Sequence, residues 1–514
     1  MSSAPRRGND LVVGMVHMVA SAEPVPPMPR TWRIGLIAAV LLIALAAYLT
    51  QEVIGPRGQA VAGLLCFAGL IAACSQNLRC VNWRTVLWGL GLQVGLACCL
   101  LKFWLPGRPA EMPWGAWCAH VLTGRATGAP PWRPGYALFE GIGAIIRQFL
   151  EFSANGAKFV FGPLADVPVM NGVFPQGGFV FAFVALPTII FISAVFSVLY
   201  YVRVLPWMVR LLARGMIHLL HTSGAETLSA VANVFMGQTE APLIVKPYVP
   251  RMTKSELLSL MVGGMATISG GVMAVYIQMG ADPVAILATS VMAAPCGLYL
   301  SKILLPETEH PETLSHDVPW VARSHRNVID AAADGASEGL KLALNVGAML
   351  IAFLGFIALF DAIAAGIKPC LLHCGLPAGW LAFWPDELSL ARIFSWLFAP
   401  LAFLMGAAPH DVPALADLLG TKLVANEFVA YVKLTGPAAA GGYRDTLSPR
   451  GFVLATYALT GFANLSSIGI QLGGIGAMAP ERRPELAALG GRALLAGFLA
   501  TMINASLAGL LMAP

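Results

Sequence analysis

Long apolar stretches separated by short polar ones dominate the chain from Ile34 to its end. Stretches of about 17–25 apolar residues are long enough to cross roughly 30 Å of hydrocarbon as helices. The pattern therefore predicts an all-α polytopic membrane protein. Nine spans are predicted, at residues 34–50, 59–75, 85–105, 179–202, 256–279, 284–304, 339–364, 451–478 and 487–512.

A polar, proline-rich tail at residues 1–33 precedes the first span. A basic segment before an apolar one also fits a secretory signal peptide, but the long leader and the long apolar run favour a retained span. Basic residues in the loops predict a cytoplasmic N-terminus and an external C-terminus. The remaining segments are N-terminal spans at 34–105, an outer linker at 106–178 with an interfacial helix at 136–152, a cytoplasmic loop at 306–338, and a C-terminal span within 480–514.

Two stretches are too polar to be ordinary spans, at about residues 225–250 and 415–435. Each is moderately apolar and carries amides and a carboxylate near its middle. Irregular backbone is tolerated at membrane depth only where it is buried in protein or lines a wet cavity. Both stretches are therefore predicted to be re-entrant helical hairpins.

The order of segments around the two hairpins is the same. In residues 179–305 and again in 339–479, a long span and an amphipathic segment precede the hairpin, and a span with a polar interruption follows it. The loop charges place the two hairpins on opposite sides of the membrane. An inverted repeat with a broken element in each half points to a substrate site near the bilayer midplane of a secondary transporter.

The composition excludes several classes of protein. The chain is 57% hydrophobic and 11% charged, with a mean hydropathy of +0.72, which does not fit a soluble globular protein. The net charge of +5 comes from basic loops rather than a nucleic-acid-binding stripe. The nine cysteines, with no CxxC pair, favour neither a disulfide framework nor a zinc site. No HExxH motif or other catalytic constellation is found, so no enzyme activity is predicted.

Glu240 and Glu427 are predicted at the tips of the two hairpins. A carboxylate at membrane depth is costly, so it marks a functional site or a polar network. Two acceptors facing one cavity suit a neutral ligand rich in O–H and N–H groups, or a cation. Lys422 lies five residues before Glu427 and could pair with it. A cation/proton antiporter, which would also use buried carboxylates, remains an alternative at this point.

Several long motifs resemble the concentrative nucleoside transporters. They are "SAVANVFMGQTEAPLIVKPYVPRMTKSEL", "GASEGLKLALNVGAMLIAFLGFIAL", "ANEFVAY", "GFANLSSIGI" and "GGIGAMAPERR". The resemblance covers roughly residues 55–512. It implies a homotrimer with a central scaffold and an elevator-like transport domain that holds both hairpins. The first span and the long linker at 106–135 depart from the bacterial pattern, but neither touches the motifs.

The resemblance also implies a set of site residues. Gln238, Thr239 and Glu240 match nucleobase contacts, whereas Glu427, Asn464 and Ser467 match ribose contacts. Val272 and Phe462 stand where the family lines its pocket. A sodium site is implied at Asn233, Met236, Thr267 and Ile268. The expected function is nucleoside import across a plasma (inner) membrane by cation symport, with Na+ or H+ as the coupling ion and no other cofactor.

Overall fold

A computed structural model describes residues 27–103, 112–113, 133–174, 180–313, 325–375, 377, 388–438 and 441–512. All regular structure in these ranges is helical. The α-helices are α1 (Arg30–Leu49), α2 (Gln51–Ala73), α3 (Trp83–Leu101), α4 (Pro134–Phe161), α5 (Val167–Val173), α6 (Phe181–Tyr201), α7 (Val204–Leu220), α8 (Gly224–Ala232), α9 (Ala241–Ile244), α10 (Lys254–Ala266), α11 (Gly270–Gln278), α12 (Pro283–Leu304), α13 (Val328–His373), α14 (Leu390–Leu397), α15 (Ala399–Leu404), α16 (Val412–Val424), α17 (Glu427–Thr435), α18 (Pro449–Leu459), α19 (Leu465–Met478) and α20 (Arg483–Leu511).

The polytopic all-α class is confirmed. Within the described residues, eight helical segments are long and apolar enough to cross a membrane, and they correspond to eight of the nine predicted spans. The ninth predicted span, 451–478, is α18 followed by α19, with an irregular stretch at residues 460–464 between them. The span predicted at 256–279 is likewise divided, into α10 and α11.

Three boundaries differ from the predictions. Helix α2 follows α1 almost directly, because Gly55 takes a φ of 59° ahead of Pro56 and turns the chain without a loop. Helix α13 has 46 residues, so the predicted loop at 306–338 is already helical from Val328. The predicted interfacial helix at 136–152 is the middle of the 28-residue α4, which packs against α6 and α12. Most of the linker at 106–135 lies outside the described residues.

The two halves of the molecule repeat one order of elements. In the first half, the long α6 and the amphipathic α7 lead to the hairpin segment with α8 and α9, and the divided pair α10–α11 follows. In the second half, α13 and the short α14–α15 lead to the hairpin α16–α17 and the divided pair α18–α19. Each half then ends in a long apolar helix, α12 or α20.

The most buried of the long apolar segments are the α10–α11 pair, α12 and α20. Within its most apolar window, the α10–α11 pair is 94% buried, whereas the windows in α1 and α13 are each 11% buried. Helix α13 packs along α6 at two glycines spaced four residues apart. A Cβ at Gly339 would come within 2.8 Å of Ile190 Cα, so only a glycine permits this close approach. Helices α10, α11, α12 and α20 thus form an interior, with α1, α6 and α13 towards its outside.

Candidate functional site

Hairpin 1 comprises residues 224–251. Ser223 and Glu226 form a reciprocal capping box that starts α8. The chain then turns through the GQTE sequence at residues 237–240, where the Gly237 N–H donates to the Glu240 carboxylate at 3.2 Å. The second limb is shorter than a full helix, because α9 ends at Ile244 and hydrogen-bonded turns continue to Arg251. The tip therefore presents several side chains from irregular backbone.

Hairpin 2 comprises residues 412–435 and consists of two packed helices, α16 and α17. Asn426 caps α17 by accepting from the Val429 N–H at 2.8 Å. Glu427 is consequently the first residue of α17, where a helix N-terminus favours a negative charge. The Lys433 ammonium lies 2.9 Å from the buried Asp417 carboxylate and so links the two limbs.

Two irregular stretches divide the helices that follow the hairpins, break 1 at residues 267–269 and break 2 at residues 460–464. Each begins with a threonine whose hydroxyl donates to the carbonyl four residues earlier, Thr267 to Gly263 at 2.9 Å and Thr460 to Thr456 at 2.6 Å. The breaks also touch, because the Phe462 N–H donates to the Thr267 carbonyl at 3.0 Å. The discontinuities of the two repeats therefore meet at one place.

A cluster of amides joins hairpin 1 to α19. The Gln238 side-chain N–H donates to the Ser467 hydroxyl at 3.2 Å, and the Gln471 amide donates to the Gln238 carbonyl oxygen at 3.2 Å. A Cβ at Gly264 would lie 2.8 Å from the Gln471 amide nitrogen, so the glycine leaves room for the cluster. Gln471 was not identified from the sequence. Its position four residues after Ser467, on the same helical face, was the available signal.

A second polar cluster surrounds Glu427. Its carboxylate accepts from the Asn464 side-chain amide at 2.7 Å and from the Tyr276 hydroxyl at 3.5 Å. Tyr276, which also stacks on Tyr431 at 3.9 Å, lies in an apolar run and carried no sequence signal. The suggested ion pair with Lys422 is wrong, because no lysine nitrogen of the described residues lies within 4.0 Å of Glu427 and the Lys422 ammonium donates elsewhere.

The other predicted substrate contacts differ in their exposure. Val272 is buried and lies three residues after break 1, whereas Phe462 is partly buried and lies within break 2. Thr239 packs against Gly474 of α19. Glu240 is exposed, and its carboxylate accepts from the Gly237 N–H. The structure thus brings Gln238 and Ser467 together, and Glu427 and Asn464 together, whereas among the described residues the Glu240 carboxylate is hydrogen-bonded only to the Gly237 N–H.

The four residues predicted to hold sodium lie at hairpin 1 and break 1. Asn233 is fully buried, and its side-chain oxygen has no hydrogen-bond partner among the described residues. The Thr267 hydroxyl gives its proton to Gly263 and keeps lone pairs free. In the described residues, no hydrogen bond reaches the backbone carbonyl of Met236 or of Ile268. Unpartnered oxygens of this kind suit a hard cation.

Comparison with known proteins agrees with this architecture. Three family models match, described as "Na+ dependent nucleoside transporter N-terminus" at residues 62–109, "Nucleoside recognition" at 182–283, and "Na+ dependent nucleoside transporter C-terminus" at 285–509. A solved structure of CNTnw in an inward-facing substrate-bound state is 36% identical, with a TM-score of 0.75. That match covers 88% of this chain and 98% of CNTnw.

Curated relatives give the same result. An uncharacterized transporter of Haemophilus influenzae is 38% identical over 88% of this chain and 96% of its own length. The sodium/nucleoside cotransporter 1 proteins of Mus musculus and Homo sapiens are each 38% identical over 88% of this chain. The match spans 63% of the length of each of these two mammalian proteins.

The buried divided helices and the polar clusters between them define a multi-pass membrane transporter. With the coverage and identity of these matches, the chain belongs to the concentrative, Na+-dependent nucleoside transporter family.

Proposed function

We propose that this protein imports nucleosides by symport with Na+. The observation that carries the proposal is the convergence of two polar clusters on the paired breaks, next to the unpartnered Asn233 oxygen. Both clusters offer donors and acceptors, as a neutral, hydroxyl-rich ligand requires. Membership of the family supports the same substrate class.

The two clusters divide the ligand between them. Gln238, with Thr239 and Glu240 beside it, binds the nucleobase through its side-chain amide. Glu427, Asn464 and Ser467 bind the ribose, since a carboxylate has about four lone-pair positions and two of those on Glu427 are occupied. Val272 and Phe462 enclose the nucleoside on its apolar side.

Sodium binds between hairpin 1 and break 1, at the Asn233 side-chain oxygen, the Thr267 hydroxyl and the backbone carbonyls of Met236 and Ile268. A cation there holds hairpin 1 against α10, so that sodium and nucleoside strengthen each other's binding. One charge moving through 100 mV is worth about 2.3 kcal/mol. Because a tenfold concentration ratio corresponds to about 1.4 kcal/mol, the membrane potential alone sustains roughly a 50-fold accumulation of nucleoside.

The whole-molecule arrangement extends the proposal. The protein is a multi-pass homotrimer of the plasma (inner) membrane, with its N-terminus in the cytoplasm and its C-terminus outside. Residues 179–305 and 339–479 form an inverted repeat whose hairpins re-enter the membrane. The hairpins and divided helices move as an elevator-like transport domain against a scaffold.

The deciding experiment measures uptake of labelled uridine into proteoliposomes at a fixed membrane potential, with sodium or choline outside. Uptake should require sodium. The Asn233→Ala variant should raise the sodium concentration for half-maximal uptake by at least about tenfold, the effect of losing about 1.4 kcal/mol of cation binding. The exposed Asn171 gives a matched control, since Asn171→Ala should leave that concentration unchanged.

Full uptake in choline, driven by a pH gradient, would replace sodium with protons as the coupling ion. A protein that exchanges protons for cations without moving uridine would overturn nucleoside transport altogether.

A further inference from the structure

Lys422 is a fully buried lysine that no part of the proposed mechanism uses. It lies on α16 of hairpin 2, and its ammonium donates to the Ala458 carbonyl at 2.7 Å and to the Thr501 hydroxyl at 2.9 Å. Ala458 is in the last turn of α18, directly before break 2. The Lys422 side-chain nitrogen therefore lies at the carboxyl end of a divided helix, where the helix dipole favours a cation.

The partners of Lys422 all present negative potential. The Thr501 hydroxyl gives its own proton to the Phe498 carbonyl at 2.9 Å, so it offers Lys422 a lone pair. The ring of Phe498 lies beneath the ammonium, with its centroid at 5.5 Å. A carbonyl, a hydroxyl lone pair and a ring face together are suited to a positive charge.

Break 1 starts with the same threonine hydrogen bond as break 2, but among the described residues no lysine or arginine side chain donates to it. Break 1 starts with Thr267 and break 2 with Thr460, and both make the same hydrogen bond to the carbonyl four residues earlier. In each repeat a hairpin side chain reaches the end of the divided helix. In the first repeat it is Asn233, next to Gly263, and its side-chain oxygen is unpartnered. In the second repeat it is Lys422.

We infer that the Lys422 ammonium is a covalently attached cation that fills, at break 2, the position that a dissolved coupling ion takes at break 1. The inference deepens the proposed symport, on which it rests. Its consequence is stoichiometric: the transport domain offers one place to a dissolved cation rather than two. Lys422 is a positioning residue, since it holds hairpin 2 on α18 and does not touch the nucleoside.

The first test uses Lys422→Ala in the full-length protein, which should open a vacancy lined by Ala458 and Thr501. The apparent unfolding temperature of the purified variant should fall relative to the unsubstituted protein. Sodium, ammonium or methylammonium should restore it in part, because a ligand that binds the native state stabilises it. Tetramethylammonium, too large for the vacancy and without N–H donors, should not. The exposed Lys341 serves as the matched control, since Lys341→Ala should leave the cation dependence unchanged.

A second variant, Lys422→Met, should fill the space with an apolar chain and remove the cation response seen with alanine. If Lys422→Ala shows no stabilisation by small cations beyond that of the unsubstituted protein, the inference is overturned. This measurement needs no transport, so it stays informative even if uridine proves not to be the substrate.

The third measurement compares labelled sodium with labelled uridine entering proteoliposomes. The unsubstituted protein should move about one sodium per nucleoside, and Lys422→Ala about two, because each charge site then binds a dissolved ion. A ratio near two in the unsubstituted protein would overturn the inference but leave sodium symport intact. Absence of sodium-coupled uridine uptake by the unsubstituted protein would instead count against the proposed function.

Discussion

Glu427 is held by neighbours that leave part of its carboxylate unused. Asn464 and Tyr276 donate to its two oxygens, and helix α17 starts at this residue. The carboxylate is thereby fixed in direction but retains acceptor positions for further donors. In the first repeat the amide of Gln238 is fixed in the same way, by Ser467 and Gln471. Single side chains at the site are thus oriented before any ligand arrives.

The nucleoside 3′-hydroxyl should contribute strongly to binding if it donates a hydrogen bond to Glu427. Removal of this hydroxyl leaves a buried carboxylate short of one donor, which costs about 2 kcal/mol or more. A 3′-deoxynucleoside should therefore compete for uptake at least roughly 30-fold less well than its parent. Glu427→Ala should abolish uptake and leave the oligomeric state unchanged. Equal competition by the two nucleosides would be incompatible with this role.

The amide pair should control discrimination between bases. Gln238→Leu removes the group proposed to contact the base, and Gln471→Leu removes the donor that orients it. Both variants should change the ratio of uridine to adenosine uptake by at least several-fold, since one hydrogen bond contributes about 1 kcal/mol. The exposed Gln148 is a suitable control site. A proportional loss of both fluxes would assign Gln238 to the packing of the hairpin alone.

The sequence analysis identified some residues of the two polar clusters and missed others. Gln238, Glu427 and Asn464 were identified because polar groups in apolar stretches are costly and because they belong to long motifs. Tyr276 and Gln471 were missed, since a tyrosine fits an apolar helix and a lone glutamine has no motif of its own. The Lys422–Glu427 spacing suggested an ion pair, but the C-terminal turn of α18 lies closer to that lysine, which only the tertiary structure reveals.

At the scale of helices, polar links between limbs fix the hairpins. In hairpin 2, Lys433 of α17 and Asp417 of α16 form an ion pair, and the Tyr443 hydroxyl also donates to Asp417 at 2.9 Å. The hydrophobic pattern located both hairpins and both divided helices. The pattern placed the ends of α2 and α13 poorly. The turn at Gly55 does not alter the apolar pattern at the start of α2. Helix α13 continues beyond its apolar part, so its ends cannot be read from that pattern.

The two limbs of hairpin 2 should be strongly coupled through this ion pair. Lys433→Met leaves the buried Asp417 charge without its cation, which should destabilise the protein by about 3–5 kcal/mol. The double variant Asp417→Asn with Lys433→Met removes both charges and should be more stable than Lys433→Met alone. Half-lives of the folded protein at a fixed elevated temperature provide the measurement. If the separate effects of Asp417→Asn and Lys433→Met simply add in the double variant, the limbs are not coupled by these charges.

Over the whole molecule, an interior formed by α10, α11, α12 and α20 is surrounded by less buried helices such as α1, α6 and α13. Helices α10, α12 and α20 pack on one another in the interior, whereas α13 lies along α6. The repetition of element order was predictable because each hairpin interrupts the hydropathy pattern in the same way. The contact between the two breaks was not, since it depends on how the halves fold onto each other.

The inverted repeat predicts that the segments following the hairpins emerge on opposite sides of the membrane. Arg251 follows hairpin 1, and Arg444 follows hairpin 2. In a version whose nine cysteines are replaced by serine, Arg444→Cys should react with an impermeant maleimide in intact cells. Arg251→Cys should react only after permeabilisation, since basic loops favour the cytoplasmic side. Labelling of both from the same side would rule out the inversion.

The hydrogen bond from the Phe462 N–H to the Thr267 carbonyl has a consequence for leakage. A symporter dissipates its ion gradient when the coupling ion crosses the membrane without the substrate. Here a residue proposed to ligate the ion and one proposed to enclose the nucleoside share a peptide hydrogen bond in the interior. Under the proposed symport, a shift of either break displaces a group of both binding sites, so loss of one ligand disturbs the site of the other. The proposed coupling of the two fluxes then runs through this backbone hydrogen bond.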